Sequence, residues 1–352
     1  MSIPSVLRSL LTAPGPSGYE ATAAAVWREA ASAFGAQVAG DVMGSSTARV
    51  AGTAGGPTLA IVGHIDEIGL IITSIEDSGM LRFTGVGGWD PQVLIGQRVE
   101  LQSKGGAVQG VIGRKPIHLL EADDRKKVQE LKALHIDVGA KDGEQAASMV
   151  RVGDVAVIAG EPLELPNGRA ASRAMDNRLG CFVALEAGRL VAERGGAPGD
   201  VVAIAAVQEE TTFGGSRTSA HALEPDLAIA VDVTHATDAP GLDESEHGRH
   251  RFGSGPVIER GSNLHPAVSE LLIEVAEAEG IPYTLAASAR HTGTDADAIH
   301  ISRGGVPTGL VSLPLRYMHS PVEMVDLGDV EATARLLAAF AMRLPADAGF
   351  ER

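Results

Sequence analysis

Val201-Val202-Ala203-Ile204-Ala205-Ala206-Val207 is an unbroken apolar run that stops at Gln208-Glu209-Glu210. Its length suits a β-strand, and its lack of polar alternation suits a strand covered on both faces. A second run of the same kind, Thr58-Leu59-Ala60-Ile61-Val62-Gly63, ends in His64-Ile65-Asp66-Glu67. Two buried strands that each end in ionisable residues predict an α/β sheet with its chemistry beyond the carboxyl ends. Successive side chains of a strand point to opposite faces. Read as the end of a strand, Glu209 and Glu210 are therefore expected to aim apart, Glu210 to bind and Glu209 to react. Two adjacent acids alone more often do no more than cap a strand at the surface, so the reading needs partners from elsewhere in the chain.

Outward from these strands, helix and strand alternate. Helices are expected at 5–12 and 20–34, separated by Pro14-Gly15-Pro16-Ser17-Gly18, and strands at 37–40 and 47–51. After Pro166 the order is helix 176–193, strand 201–207, helix 215–223 and strand 226–231 ending at Asp232. Then come helix 265–279 with Pro266 in its first turn, strand 283–287, helix 294–302, strand 307–312 and helix 325–342. Between 68 and 163 the pattern changes to short strands at 70–75, 81–84, 98–102, 107–112 and 155–159, with one charged helical stretch at 123–133. The expected fold is thus α/β. A mostly parallel sheet sandwiched by helices is built from 1–67 and 164–352 as one discontinuous domain, with a smaller, mainly β domain inserted at 68–163.

Composition narrows the function. The chain has 352 residues, 44% hydrophobic and 21% charged, which is an ordinary globular balance. A net charge of −16 without a basic stripe argues against a nucleic-acid partner. No apolar run is long enough to span a bilayer, so no membrane partner is expected. The first eleven residues lack a basic leader followed by a long apolar core. Cys181 is the single cysteine, which excludes an internal disulfide and fits a reducing compartment. A cytoplasmic protein is expected.

The residues gathered at strand and helix ends are His64, Asp66, Asp176, Glu209, Glu210, Asp232 and His319. Imidazole with carboxylate is a zinc-type donor set that also accepts cobalt or manganese. Five ligand candidates suit two divalent cations, about 3.5–4 Å apart, that share a carboxylate and a water. His64, Asp176 and Asp232 are expected to hold one ion, with Asp176 bridging to a second held by Glu210 and His319. Asp66, two residues from His64, would fix that imidazole's tautomer. Glu209 would act as the general base. Each residue also has a plain structural explanation. Asp176 suits a helix N-terminus through the dipole, Asp232 a turn, and His319 a loop. It is their joint placement that favours a site. The remaining histidines have no comparable setting.

The chain resembles the tetrahedral dimetal aminopeptidases, whose relatives carry glutamyl, aspartyl or leucyl aminopeptidase names and in some cases an endoglucanase label. The resemblance runs through Pro16-Ser17-Gly18-Tyr19-Glu20, Gly63-His64-Ile65-Asp66-Glu67-Ile68-Gly69 and Met175-Asp176-Asn177-Arg178-Leu179-Gly180. It continues in Val207-Gln208-Glu209-Glu210, Val231-Asp232-Val233-Thr234, Gly293-Thr294-Asp295-Ala296 and Arg316-Tyr317-Met318-His319-Ser320-Pro321. It implies metal ligands at His64, Asp176, Glu210, Asp232 and His319, a base at Glu209 and an orienting acid at Asp66. It further implies a PDZ-like inserted domain that serves dimerisation, and a hollow tetrahedral homo-dodecamer that admits peptides. Asn177 and Thr211-Thr212-Phe213 depart from the family's usual residues. The expected function is metal-dependent removal of the N-terminal residue from peptides, through a water held between the two metals with Glu209 as base. The alternative is a dimetal deacylase acting on N-acylated amino acids. A metal-free glycosidase built on the paired carboxylates is a more distant rival. Arg251, Arg260, Arg290 and Arg316 are candidates to line a pocket for acidic side chains.

Overall fold

A computed structural model of the chain describes residues 1–351. The run that ends at Ala206 and the run that ends at His64 are adjacent, parallel strands, Gly199–Ala206 and Gly56–His64. They lie inside an eight-stranded sheet. Its order is Gln37–Gly40, Ser46–Val50, Gly199–Ala206, Gly56–His64, Leu227–His235, Thr308–Leu315, Val257–Gly261 and Thr284–Ser288. The middle four strands are mutually parallel. The antiparallel pairings fall toward the two edges.

Unbroken apolar strands are explained by what covers them. Leu59 and Ile61 point into the larger core with helices Ser5–Thr12, Ala21–Ser32, Met175–Glu193, Pro266–Glu279 and Leu327–Arg343. Ala60 and Val62, on the opposite face, pack with helix Gly214–Leu223 and the turn Ala296–Ile299. Helix Met175–Glu193 comes unusually close to the sheet because two glycines meet there. A Cβ on Gly63 would stand 2.3 Å from the Gly180 carbonyl carbon, and one on Gly180 would stand 2.6 Å from the Val231 oxygen. That close approach puts the helix start, and Asp176 with it, against the carboxyl ends of the central strands.

Between His64 and the helix start, six short strands close into a barrel. Leu70, Ile72, Leu81, Phe83, Val99, Leu101, Ile112 and Ile136 form its separate core. The charged stretch at 123–133 is not a helix. It carries two 3₁₀ turns, Asp124–Lys126 and Leu131–Ala133. A helix polar on all sides has no face to bury, and among the described side chains of this stretch Leu131 docks on the barrel core. A small antiparallel sheet, Leu163–Leu165, Arg169–Ser172 and Glu323–Asp326, links the chain leaving the barrel to the segment after His319.

Candidate active site

Asp232 does not end its strand, which continues to His235. It sits where the strand loses one neighbour. Leu227 to Ala230 pair with the strand ending at His64, whereas pairing with Thr308–Leu315 continues as far as His235. Beyond Ala230 no strand among the described residues pairs with that edge, and past Val231, whose carbonyl Asn177 takes, the gap opens at Asp232. This is the crevice at which ligands gather in open parallel sheets.

Glu209 and Glu210 diverge for a different reason than strand alternation. The strand stops at Ala206, Gln208 turns through a left-handed conformation (φ 58°), and Glu209–Thr212 is a single helical turn. Asp66 supplies the partner for that turn. The Glu209 N–H donates to Asp66 Oδ1 at 3.0 Å and the Glu210 N–H to Oδ2 at 3.1 Å. Asp66 also faces His64, with Nδ1 3.4 Å from its Oδ1 and 3.3 Å from its carbonyl oxygen. A single buried carboxylate thus holds both the histidine and the paired glutamates. Burial works to raise the Asp66 pKa, but His64 and the two N–H donors outweigh it and lower the value.

The other nitrogen of His64 looks into the crevice. His64 Nε2 is 3.2 Å from Asp176 Oδ1 and 3.7 Å from Glu209 Oε2. The second oxygen of Asp176, Oδ2, is 3.3 Å from His319 Nε2, which is itself 3.4 Å from Glu210 Oε1. Asp176 therefore presents one oxygen to each histidine. The donor atoms of His64, Asp176 and Glu210 lie within 4.8 Å of one another, as do those of His64, Glu209 and Asp232. All seven residues singled out in the sequence come together here.

The donor set carries its own test of whether cations fit. Two imidazoles face the carboxylates of Asp176, Glu209, Glu210 and Asp232, and among the described residues no lysine or arginine lines the cavity. Burial, with the charges of Asp232, Asp295 and Glu210, pushes Glu209 up to about 10. Burial and the Asp176 charge likewise raise Asp232. His319 is pushed up to about 11 by its contacts to Asp176 and Glu210. Burial opposes protonation of His64, yet Glu209, Asp176 and Asp66 together raise it well above the usual imidazole range. Each displacement has the sign expected of a donor set short of positive charge. The residues fit divalent ions.

The matching family model, M42 glutamyl aminopeptidase, covers residues 44–336. The chain belongs to the M42 glutamyl aminopeptidase family. A lysyl aminopeptidase of Pyrococcus furiosus is 33% identical over 343 residues, 95% of each chain. A TET aminopeptidase from the marine sediment archaeon Thaumarchaeota archaeon SCGC AB-539-E09 superposes with a TM-score of 0.91 at 36% identity, covering 96% of this chain and 95% of that one. The Pyrococcus horikoshii TET1 peptidase, which can assemble into a tetrahedron or a large octahedral shell, matches with a TM-score of 0.84 at 31% identity, covering 96% and 99%. This M42 chain is a metal-dependent aminopeptidase, a hydrolase of peptide bonds.

The cavity over the M42 site measures 310 Å³, and its walls include Val233, Thr234, His235, Thr292, Gly293, Thr294 and Met318. No local pattern marks these residues as a wall, and His235 reaches the cavity only because its strand runs on past Asp232. The barrel also reaches the site. A Cβ on Gly88 would stand 3.4 Å from His319 Nδ1, and one on Gly87 would stand 3.3 Å from Glu210 Oε2. The four arginines proposed for an acidic pocket are spent elsewhere or stand outside the cavity. Arg316 pairs with Asp238 at 2.7 Å and stacks over Phe252. Arg251 pairs with Glu244 at 2.5 Å, Arg260 pairs with Glu270, and Arg290 is exposed. Asn177, one of the departures from the family pattern, donates to the Val231 carbonyl at 2.7 Å and accepts from Gly180 N–H at 2.8 Å. It therefore braces the helix against the sheet.

Proposed function

We propose that His64, Asp176 and Asp232 hold one divalent cation and that Asp176, Glu210 and His319 hold a second, with zinc as the native metal and cobalt or manganese as alternatives. The observation that carries this is the Asp176 carboxylate, which has one oxygen 3.2 Å from His64 and the other 3.3 Å from His319. That is the disposition a bridging ligand needs. Bound there, the ions would polarise the scissile carbonyl and acidify water. That positive charge would offset the burial and the neighbouring carboxylates that hold the proton on Glu209, so that Glu209, lining the cavity beside His64 and Asp232, would be ionised, take the proton from the attacking water and pass it to the leaving amine. Asp66 keeps His64 and the Glu209–Glu210 turn in place.

Relatives that carry aminopeptidase names, the lysyl aminopeptidase of Pyrococcus furiosus among them, support an aminopeptidase over a deacylase. We further propose a cytoplasmic homo-oligomer of the tetrahedral, twelve-subunit kind, with the barrel domain, 68–163, as the dimerisation module. Exposed apolar side chains on the barrel segment, Val111, Ile117, Leu119 and Val128, support that role, and the single buried cysteine supports the location.

The test is a panel of aminoacyl-p-nitroanilides and N-acyl amino acids, assayed before and after chelation and again after adding zinc, cobalt or manganese. Cleavage of free-amine substrates, lost on chelation and restored by metal, is expected. Restored cleavage of only the N-acyl compounds would favour the deacylase. Elemental analysis of His319→Ala and Asp176→Ala should show fewer ions per chain, and unchanged stoichiometry would reject those ligands.

A further inference from the structure

Glu323 opens the short strand Glu323–Asp326 and is buried, with 2% of its surface exposed. Its two oxygens do the same job on two different segments. The Asp176 N–H donates to Oε2 at 3.1 Å, and the His319 N–H donates to Oε1 at 2.8 Å. The side chains of those two residues meet in the crevice, with His319 Nε2 3.3 Å from Asp176 Oδ2. One buried carboxylate therefore clamps the backbones of both residues whose side chains converge.

Neither backbone is in a conformation that its own element would enforce. Asp176 is non-helical inside the helical span (φ −79°, ψ 104°). His319 is left-handed, with φ 57°, which is uncommon for a residue with a side chain. The register around Glu323 explains how it reaches both. Ser172, shortly before Asp176, lies opposite Glu323, and Arg316, shortly before His319, lies opposite Met324. The strand that begins at Glu323 is thus stitched to the two segments that deliver the ligands, and its first side chain turns inward between them.

We propose that Glu323 is a positioning residue that fixes the separation and aim of Asp176 and His319, and so sets the affinity for the cation those two share. The proposal rests on the ligand reading given above. Glu323 lies behind the two residues it holds and is not among the residues that line the cavity or whose donor atoms converge there. Its function depends on having two acceptor oxygens. In Glu323→Gln one of them becomes an NH₂ group, and one of the two N–H donors loses its partner.

The experiment uses the full chain as wild type, Glu323→Gln, Glu323→Ala and His319→Ala. Each protein is stripped with a chelator and titrated with Co²⁺ and Zn²⁺, and elemental analysis gives the ions retained after dialysis. The stripped proteins are also melted. Glu323→Gln is expected to weaken the ion that Asp176 and His319 share by about tenfold or more, the range seen when a partner of a metal ligand is lost, and to weaken the other ion, which only Asp176 connects to Glu323, by less. Glu323→Ala is expected to weaken the shared ion further. If Glu323→Ala fails to fold, Glu323→Gln alone decides. Wild-type affinity for both ions in Glu323→Gln overturns the proposal, as does a lower melting temperature of the stripped protein with unchanged affinity, which is what a merely structural role would give. Unchanged metal binding in His319→Ala overturns the ligand reading instead. Loss in His319→Ala without loss in Glu323→Gln removes the positioning role alone.

Discussion

Two buried clusters of charge lie side by side around the strand end at His64, and they are balanced in opposite ways. Glu67 sits between two guanidinium groups. Arg178 Nη2 is 3.1 Å from its Oε1, Arg173 contacts Oε2, and the Gly15 N–H donates to Oε1 at 3.1 Å. The remaining donors of Arg178 go to the carbonyls of Ile65, Leu10 and Ala13, and Arg173 reaches Thr12. This cluster is closed in the sense that its one carboxylate is held by two guanidinium groups of the chain itself. The neighbouring cluster of His64, Asp176, Glu209, Glu210, Asp232 and His319 is open. It has carboxylates in excess and no guanidinium or ammonium group lining it among the described residues. Burying a charge is tolerated when it is paired and hydrogen-bonded. Buried carboxylates with no guanidinium or ammonium group beside them therefore mark where a cation from outside binds, whereas a carboxylate held by guanidinium groups of the chain marks architecture.

The largest effect should come from changing one atom type inside the open cluster. Glu209→Gln keeps the size of the side chain and removes its ability to take a proton. Peptide hydrolysis is expected to fall by about 10²–10⁴-fold, with ions per chain unchanged by elemental analysis. Near-normal turnover would show that the open cluster works by charge alone and would return Glu209 to the class of structural acids.

In the closed cluster the expected loss is one of stability. Arg178→Met leaves Glu67 with one guanidinium partner and leaves several buried carbonyls without donors. Glu67 keeps Arg173, so the cost comes from the carbonyls of Ile65, Leu10 and Ala13, at about 1–3 kcal/mol for each buried acceptor left unsatisfied, read as a lower denaturation midpoint. The surviving folded fraction should still bind metal. If Arg178→Met kept its stability and lost its metal, the two clusters would be one functional unit and the distinction would fail.

The two clusters were not equally legible in the sequence. An acid that follows an apolar run has positional meaning, because strand ends face the crevice whatever the rest of the fold does. That is why His64, Asp66 and Glu209 stood out, and why the parallel-centred sheet could be read from strand and helix alternation. Asp232 was placed at the end of its strand because nothing local tells that one neighbour drops away at Ala230 while the other continues. Pairing between distant strands decides that. The divergence of Glu209 and Glu210 depends on Asp66 accepting two N–H groups across the fold. Glu323 follows a Ser-Pro-Val turn and reads like any surface acid. Its importance comes from a register with Ser172 that no local pattern encodes. Arg173 and Arg178 are likewise basic residues flanking a helix start, and their shared partner is more than 100 residues away, with sequence separations of 106 and 111.

Removing metal offers a test between these scales. Ions that bind the folded chain and not the unfolded one stabilise it by about 2.7 kcal/mol when free metal is about a hundredfold above the dissociation constant. Chelation should therefore lower the melting temperature, and zinc or cobalt should restore it in a concentration-dependent way. Without cations the carboxylates of the open cluster repel one another, so the sign of the effect is destabilising. A chelated protein that melts at the same temperature would mean that the carboxylates of the open cluster are compensated from within the chain.

The smallest effect belongs to a third kind of charge pairing, on the surface of the same helix. Arg189 is about one-third exposed and contacts Glu186 and Glu193, three residues before and four residues after it. Its Nε lies 2.8 Å from Glu186 Oε2. The geometry resembles that of the Glu67 cluster, so distance alone would give the two equal weight. Solvent separates them. In water the attraction is screened, and holding two long side chains in place costs rotamer freedom, so an exposed helical pair contributes about 0.3–0.5 kcal/mol. Arg189→Ala should therefore cost less than about 1 kcal/mol, and the cost should shrink further in high salt. Of the two pairs, Glu186–Arg189 should carry more of it, because an acid placed N-terminal to a base agrees with the helix dipole and the Arg189–Glu193 order opposes it. A double-mutant cycle over Arg189 with each glutamate measures this directly. Coupling of several kcal/mol would mean that burial is not what separates structural charge from idle charge in this molecule. Coupling of a few tenths would leave the water-excluded contacts around Glu67 as the ones that hold the N-terminal segment to the strand end beneath the active site.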